Sequence, residues 1–213
     1  MTKPFQANND SQYNTMTLAG QGQVTSIPNV AIIRLGVQSI GDNLTETQSE
    51  NAQISKAILE ALKQINVSDI KTYQYNIEKN YLYENATTID NGYSVRNILE
   101  IKLNNTDQVG MVIDTAVNSG ANVVEFISFD VFNSDYYYKQ ALNLAVMNAI
   151  QKAKSISMFL GIPMDPAPTH IVENSSTVSP FPQMYSAREG DYTTPIEAGQ
   201  YQINASVTVD FIY

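Results

Sequence analysis

The chain has 213 residues, 43% of them apolar and 15% charged, with 21 acidic against 12 basic side chains and a net charge of −9. It is long and apolar enough to bury a core without covalent staples, and the absence of cysteine excludes disulfides, thiolate metal sites and a cysteine nucleophile. The acid excess argues against nucleic acid, which is held by Lys and Arg on its phosphates, and against an anionic membrane surface.

Residues 1–14 are polar and rich in Asn and Gln, which predicts a mobile tail with no apolar run of the kind an export signal needs. From Met16 to Ile27 a modest strand pattern is interrupted by Gly20 and Gly22, and Pro28 ends it. Val30 to Ile40 alternates Ile33, Leu35 and Val37 with Arg34 and Gln38, a strand signature. Asp42 or Asn43 can cap the helix that follows. Its apolar stripe is Ile54, Ala57, Ile58, Ala61, Leu62 and Ile65, and it ends near Asn66.

Ile70 to Tyr83 and Gly92 to Leu103 read as the two arms of a long hairpin, with the polar stretch Glu84 to Asn91 as its turn. Thr106 to Ser119 is a second helix, with Val109, Val112, Ile113 and Ala116 inward and Gly120 as its stop. Asn122 to Phe132 is a strongly apolar strand. Ser134 is placed to cap the longest helix, Asp135 to Leu160, which Gly161 and Pro163 end. Ala141, Ala145, Ala149 and Ala153 recur on it every four residues, a methyl-only stripe that lets the backbone lie close to a neighbour. Thr169 to Val172 and Gln200 to Tyr213 supply two more strands. The segment Asn174 to Gly199 between them, with three prolines and two glycines, is a loop of a length that is usually mobile or functional.

A strand, a long helix and a strand pair thus occur twice, over about 30–103 and 122–213. A strand–helix–strand connection implies a parallel, right-handed crossover, and the hairpin strand returns antiparallel. The expected fold is α+β: a two-layer sandwich of a mixed, mainly antiparallel sheet with helices packed on it, built from two β-α-β-β units. The division is a tail over 1–14 and a single domain over 15–213.

Several short patterns resemble the SIMPL domain family of bacterial envelope proteins. Gly20-Gln21-Gly22 followed by Pro28-Asn29-Val30-Ala31 is similar to its opening G-x-G and P-D-x-A, with Asn29 in place of the aspartate. Gly92-Tyr93-Ser94-Val95-Arg96-Asn97 resembles a central G-Y-x-x-x-N. Ala141-Leu142, Ala145, Ala149, Lys152-Ala153 and Gly161 resemble an alanine-striped helix, and Pro195-Ile196 with Gly199 a closing P-I-x-x-G. The resemblance implies an α/β fold, oligomers in some members, no established enzymatic activity and frequent export.

No chemistry-bearing constellation emerges from the residues. Gly20-x-Gly22 lacks the third glycine and the following helix of a dinucleotide site. His170, the sole histidine, sits in a short strand without evident partners and reads as a structural or surface histidine. Glu125 and Asp130, five apart in an extended strand, should point to opposite faces and so form no glycosidase pair; an inward Glu125 would be the least ordinary acid of the chain. Tyr136, Tyr137 and Tyr138 open the longest helix, and Tyr73 and Tyr75 lie on the hairpin. Tyrosine serves interfaces because its ring buries area while its hydroxyl keeps a hydrogen bond.

The expectation is therefore a non-enzymatic protein with no cofactor and no metal, acting by self-association as a homo-oligomer or by contact with a protein partner. Tyr73, Tyr75, Tyr136, Tyr137 and Tyr138 are its possible interface. The alternative is a small-molecule binder or hydrolase with a site under residues 175–192, lined by Tyr185, Arg188, Glu189 and His170. No segment reaches the ~18–20 unbroken apolar residues of a membrane span. As it stands the sequence fits a soluble, cytoplasmic protein; a trimmed leader would place it in the cell envelope or outside the cell.

Overall fold

The computed structural model describes residues 14–84, 87–174 and 194–213, with the backbone course alone at 83, 84, 87 and 88. The chain divides into two compact units. One contains β2 (Val30–Gly41), α1 (Leu44–Gln64), β3 (Ile70–Glu84), β4 (Thr87–Leu103), α2 (Val109–Asn118) and β5 (Val123–Asp130); the other contains β1 (Thr15–Ser26), α3 (Ser134–Leu160), β6 (His170–Asn174) and β7 (Tyr201–Ile212).

In the first unit the strands form a four-stranded sheet in the order β3-β4-β2-β5, every neighbouring pair antiparallel. β2 and β3, joined through α1, run parallel, but β4 lies between them, so the crossover expected to make a parallel pair spans an intervening strand. β4 takes that central place because Val95, Ile98, Leu99 and Ile101 are all buried and need cover from neighbours on both sides. It also begins earlier than expected. Thr87 to Asp90, assigned to the turn, continue the ladder opposite Tyr81 to Glu84, as the β-branched Thr87, Thr88 and Ile89 favour.

One face of this sheet carries the cross-strand pairs Ile33/Ile101 and Leu35/Leu99. They join Ile58 and Leu62 of α1 and Val109, Val112 and Ala116 of α2 in one buried cluster. Each large side chain withdrawn from water here contributes roughly 1.5–3 kcal/mol. Asn43 caps α1, its Oδ1 accepting from Thr45 N at 3.0 Å and Glu46 N at 3.4 Å. The inward stripe of α1 differs from the apolar one expected: Thr47, Asn51 and Ser55 are buried and Ala57 is exposed. Asn51 explains the rotation. Its Nδ2 donates to Val37 O at 3.2 Å and Val95 O at 2.8 Å, pinning the helix to the two central strands.

In the second unit β1, β7 and β6 form a three-stranded sheet in that order. The strand–helix–hairpin layout over 122–213 thus has its first strand in one sheet and its last two in the other. α3 lies on the sheet through Ala141, Ala145, Ala149 and Ala153, all fully buried, against Val207, Val209 and Phe211. β1 approaches so closely that a Cβ on Gly20 would land on the carbonyl oxygen of Ala145, and one on Gly22 on that of Ala141. This is the physical content of the Gly20-x-Gly22 pattern: close packing of backbone on backbone. The α3 N-cap is Asn133, not Ser134, with no side-chain cap bond; the first turn is closed by Tyr136 N donating to Asn133 O at 3.1 Å. At the other end Gly161 takes the left-handed conformation, φ 68°.

Gly22→Val should lower the stability of this unit by roughly 3 kcal/mol in urea unfolding, since overpacking against main chain leaves little room to relax. Adding Ala141→Gly should restore none of it, because the obstructing atom is a backbone oxygen and not a methyl group. Recovery in the double variant would contradict this account.

Candidate functional site

The sheet face of the first unit that points away from α1 and α2 carries the most organised set of polar side chains among the described residues. Arg34 of β2 donates through Nε to Glu100 Oε2 of β4 at 2.8 Å. Lys71 of β3 reaches the other oxygen, Oε1, at 2.8 Å. The Arg34 guanidinium also lies 3.7 Å from the Tyr73 ring centroid and 4.9 Å from that of Phe126, so it is held between two aromatic faces. One rank further along, Arg96 donates through Nη1 to Gln38 Oε1 at 3.0 Å and through Nη2 to Glu125 Oε2 at 2.7 Å. Gln38 Nε2 in turn donates to Ser94 Oγ at 2.9 Å. Between the two ranks Ile98, opposite Gly36, is fully buried. The Lys71 hydrogen bond, then that from Arg34, holds the Glu100 carboxyl below its usual range, and the same bond raises Lys71.

Two bulges arm this face. In β3 the register shifts between Thr72 and Gln74, and in β5 it shifts opposite Arg34 and Leu35. An extra residue turns consecutive side chains to one side. The second bulge lets Glu125 and Phe126, adjacent in sequence, reach Arg96 and Arg34 on the same face, so the strict alternation assumed for Glu125 and Asp130 does not run through β5. Glu125 is a surface ion-pair partner. Asp130 instead bonds the Tyr201 hydroxyl, which burial first, and this acid second, pushes up to about 12.

The first bulge also separates the hairpin tyrosines. Tyr73 stacks on Arg34, whereas Tyr75 is on the helix side, where its hydroxyl accepts from Gln48 Nε2 of α1 at 3.2 Å. Both are about half exposed, at 47% and 50%. Tyr136, Tyr137 and Tyr138 lie in the other unit. Tyr136 is exposed and meets Tyr137 edge to face at 5.4 Å, while Tyr138 donates to Glu173 of β6. Tyr73 and Tyr75 thus belong to one unit and Tyr136, Tyr137 and Tyr138 to the other. His170 is exposed at the start of β6, and Tyr185, Arg188 and Glu189 lie outside the described residues. Among the described residues no group of three or more His, Asp or Glu side chains is placed to hold a metal ion, and no helix is long and apolar enough to cross a membrane.

Comparison with known proteins matches residues 16–211 to SIMPL, a family described as a protein of unknown function (DUF541). The chain belongs to the SIMPL family. It is 28% identical to a 26 kDa periplasmic immunogenic protein of Brucella melitensis biotype 1, over 94% of this chain and 88% of that protein. It is 29% identical to the protein of the same name from Brucella abortus, with the same coverage. To the uncharacterized protein YggE of Escherichia coli K12 it is 26% identical, over 65% of this chain and 57% of that one.

In this SIMPL chain the residues that carry the resemblance do structural work. Asn29 Oδ1 accepts from Phe132 N at 2.7 Å, fastening the end of β5. Gly92 has φ 75°, and a Cβ there would strike the Gly41 carbonyl. Asn97 Nδ2 donates to Ser55 Oγ at 3.0 Å, extending the Asn51 network under α1. Lys152 Nζ donates to Ala19 O at 2.8 Å and Asn148 Oδ1 accepts from Gln21 N at 3.2 Å, so α3 satisfies part of the edge of β1. Ile196 packs on the core of the first unit, beside Thr194, whose backbone N and hydroxyl both donate to Asp114 of α2. Sequence reasoning singled out the tyrosines and missed the Arg34 and Arg96 ranks. Alternation does put Arg34, Gln38 and Arg96 on one face, but partners on other strands appear only once the register is known.

Glu100 titrates lower folded than unfolded, so its contribution to stability is complete above the ordinary carboxylate range and is lost as pH falls through the folded-state value. The stability difference between the native chain and Glu100→Gln should be constant above the ordinary carboxylate range and shrink as pH falls below that range through the lowered folded-state value of Glu100. A difference that stays constant as pH falls through that value would show that the Lys71–Glu100–Arg34 contact contributes nothing through charge.

Proposed function

We propose that this SIMPL chain is a non-enzymatic module acting by self-association or by contact with another protein, in the bacterial envelope. One observation carries the first part. β4 pairs with β2 only from Tyr93 onward, yet β3 and β4 go on pairing out to Glu84 and Thr87. Among the described residues that distal ribbon has no third strand, and Leu82 and Ile89, opposite each other in register, are 46% and 44% exposed. A two-stranded ribbon is marginal by itself in water. An edge strand with apolar side chains is what strand addition by a second chain uses. Among the described residues β3 is an edge strand, and it also displays Tyr73, Tyr75 and Tyr81. Arg34, Lys71 and Arg96 of the open face are held in ion pairs with Glu100 and Glu125, which favours contact over catalysis. The envelope part rests on the Brucella relatives, whose names place them in the periplasm.

Light scattering on a size-exclusion column should give a dimer or larger species whose share rises with protein concentration. Leu82→Lys with Ile89→Lys should shift it to monomer with the circular dichroism spectrum unchanged. A strict monomer at every concentration overturns the self-association reading. Fractionation of the source cell should recover the native protein with the envelope; recovery from the cytosol alone overturns the location.

A further inference from the structure

α3 outruns the sheet that it packs on. Gly22 of β1 meets Ala141, Gly20 meets Ala145 and Ala19 bonds Lys152, so the helix runs opposite to β1 and its last turns lie toward the start of that strand. Ala153 is the last seated alanine, yet the helix continues to Leu160, about 10 Å further at 1.5 Å per residue. Leu160, seven residues on, continues the alanine line, and its 56% exposure shows that the sheet no longer covers it. Beside it Met158 is 77% exposed. Phe159, at 88%, is the most exposed large apolar side chain among the described residues. Gly161 then ends the helix in the left-handed conformation.

We infer that this helix end is a membrane foot, which dips into the surface of a lipid bilayer without crossing it. Geometry decides against a flat protein partner. Consecutive helical residues diverge by about 100°, so Met158, Phe159 and Leu160 point to three sides of the axis, and one facing surface would leave part of the set in water. A bilayer surrounds what enters it. The free length of helix also matches the depth of about 5–10 Å to which apolar groups enter the boundary of headgroups and acyl chains. Charge agrees. Between Asp135 and Asp165 the sequence carries Lys139, Lys152 and Lys154 and no acid, so the helix brings no carboxylate of its own to be desolvated there. The exposed Lys154 can lay its stem along the apolar turn and keep its ammonium among the lipid phosphates. The main chain is prepared as well. Gly161 N donates to Met158 O at 3.3 Å and Ile162 N to Ser157 O at 3.1 Å, so two carbonyls of the last turn need no water. The attraction is burial of apolar area, and it requires no anionic surface, which a chain of net charge −9 would resist. The inference is independent of the self-association reading, whose ribbon belongs to the other unit.

The chain has no tryptophan, so Phe159→Trp places a single fluorophore at the helix end. In the full chain its emission should be that of an exposed indole in buffer. It should move to shorter wavelength when phosphatidylcholine vesicles are added, and lipids brominated on their acyl chains should quench it. In flotation the native chain should rise with the same vesicles at low and high salt alike. Met158→Gln with Phe159→Gln, both to a good helix former, should weaken vesicle binding about tenfold or more, with the thermal unfolding midpoint unchanged. Leu82→Lys with Ile89→Lys should leave vesicle binding as it is. The inference is overturned by a chain that does not float, by binding that is lost in salt, or by binding that follows the ribbon variant and ignores residues 158 and 159. An emission already at short wavelength before lipid is added, the sign of a helix end covered by protein, overturns it too.

Discussion

The unit built on α3 depends on one constraint: main chain must meet main chain without an intervening side chain. Gly20 and Gly22 of β1 stand where any Cβ would enter the carbonyls of Ala145 and Ala141. The alanine stripe supplies methyl groups just large enough to close the gap against Val207, Val209 and Phe211. Interiors tolerate little misfit, so two glycines and four alanines are fixed together, and with them the seat of α3 on β1 and β7. The same closeness lets Asn148 and Lys152 reach the polar groups of β1's edge, which removes an aggregation liability at those positions.

The four-stranded sheet is held differently. One face is a conventional apolar core, but α1 is anchored through a buried amide, and Asn51, Ser55 and Asn97 form a polar seam inside it. Among the described residues Asn97 Oδ1 is buried without a hydrogen-bond partner. A polar seam fixes which turn of the helix meets which strand, where an apolar stripe alone would allow several. The opposite face is covered by Arg34, Arg96 and their carboxylates, whose long stems lie over the sheet while their heads pair laterally.

These observations are the ground on which the proposal of contact rests. The patterns that place the chain in the SIMPL family resolve into close approaches, caps and anchors. Among the described residues, two acid–base pairs with altered affinity for protons are bonded to each other, Lys71 to Glu100 and Lys79 to Asp90, each at 2.8 Å. Surfaces are what this chain offers: an apolar ribbon, an aromatic edge, and an apolar helix end.

Much of the architecture follows from the sequence alone, because helices and strands are written in local periodicity. The α+β class, the inward residues of α2, the alanine face of α3 and the stop at Gly161 are all legible there. So is the exclusion of cysteine chemistry. Tertiary structure decided what depends on register and on neighbours distant in the chain. Bulges at Tyr73 and Glu125 moved side chains to faces that strict alternation denied them. Asn51 overrode the apolar stripe of α1, and β4 came to lie between β2 and β3. A strand's period is two, so one inserted residue reverses which face every later side chain adopts, and no local pattern announces the insertion. The pairing of Arg34 with Glu100 and Tyr73, like the meeting of Gly22 with Ala141, exists only when segments far apart in the chain are folded together.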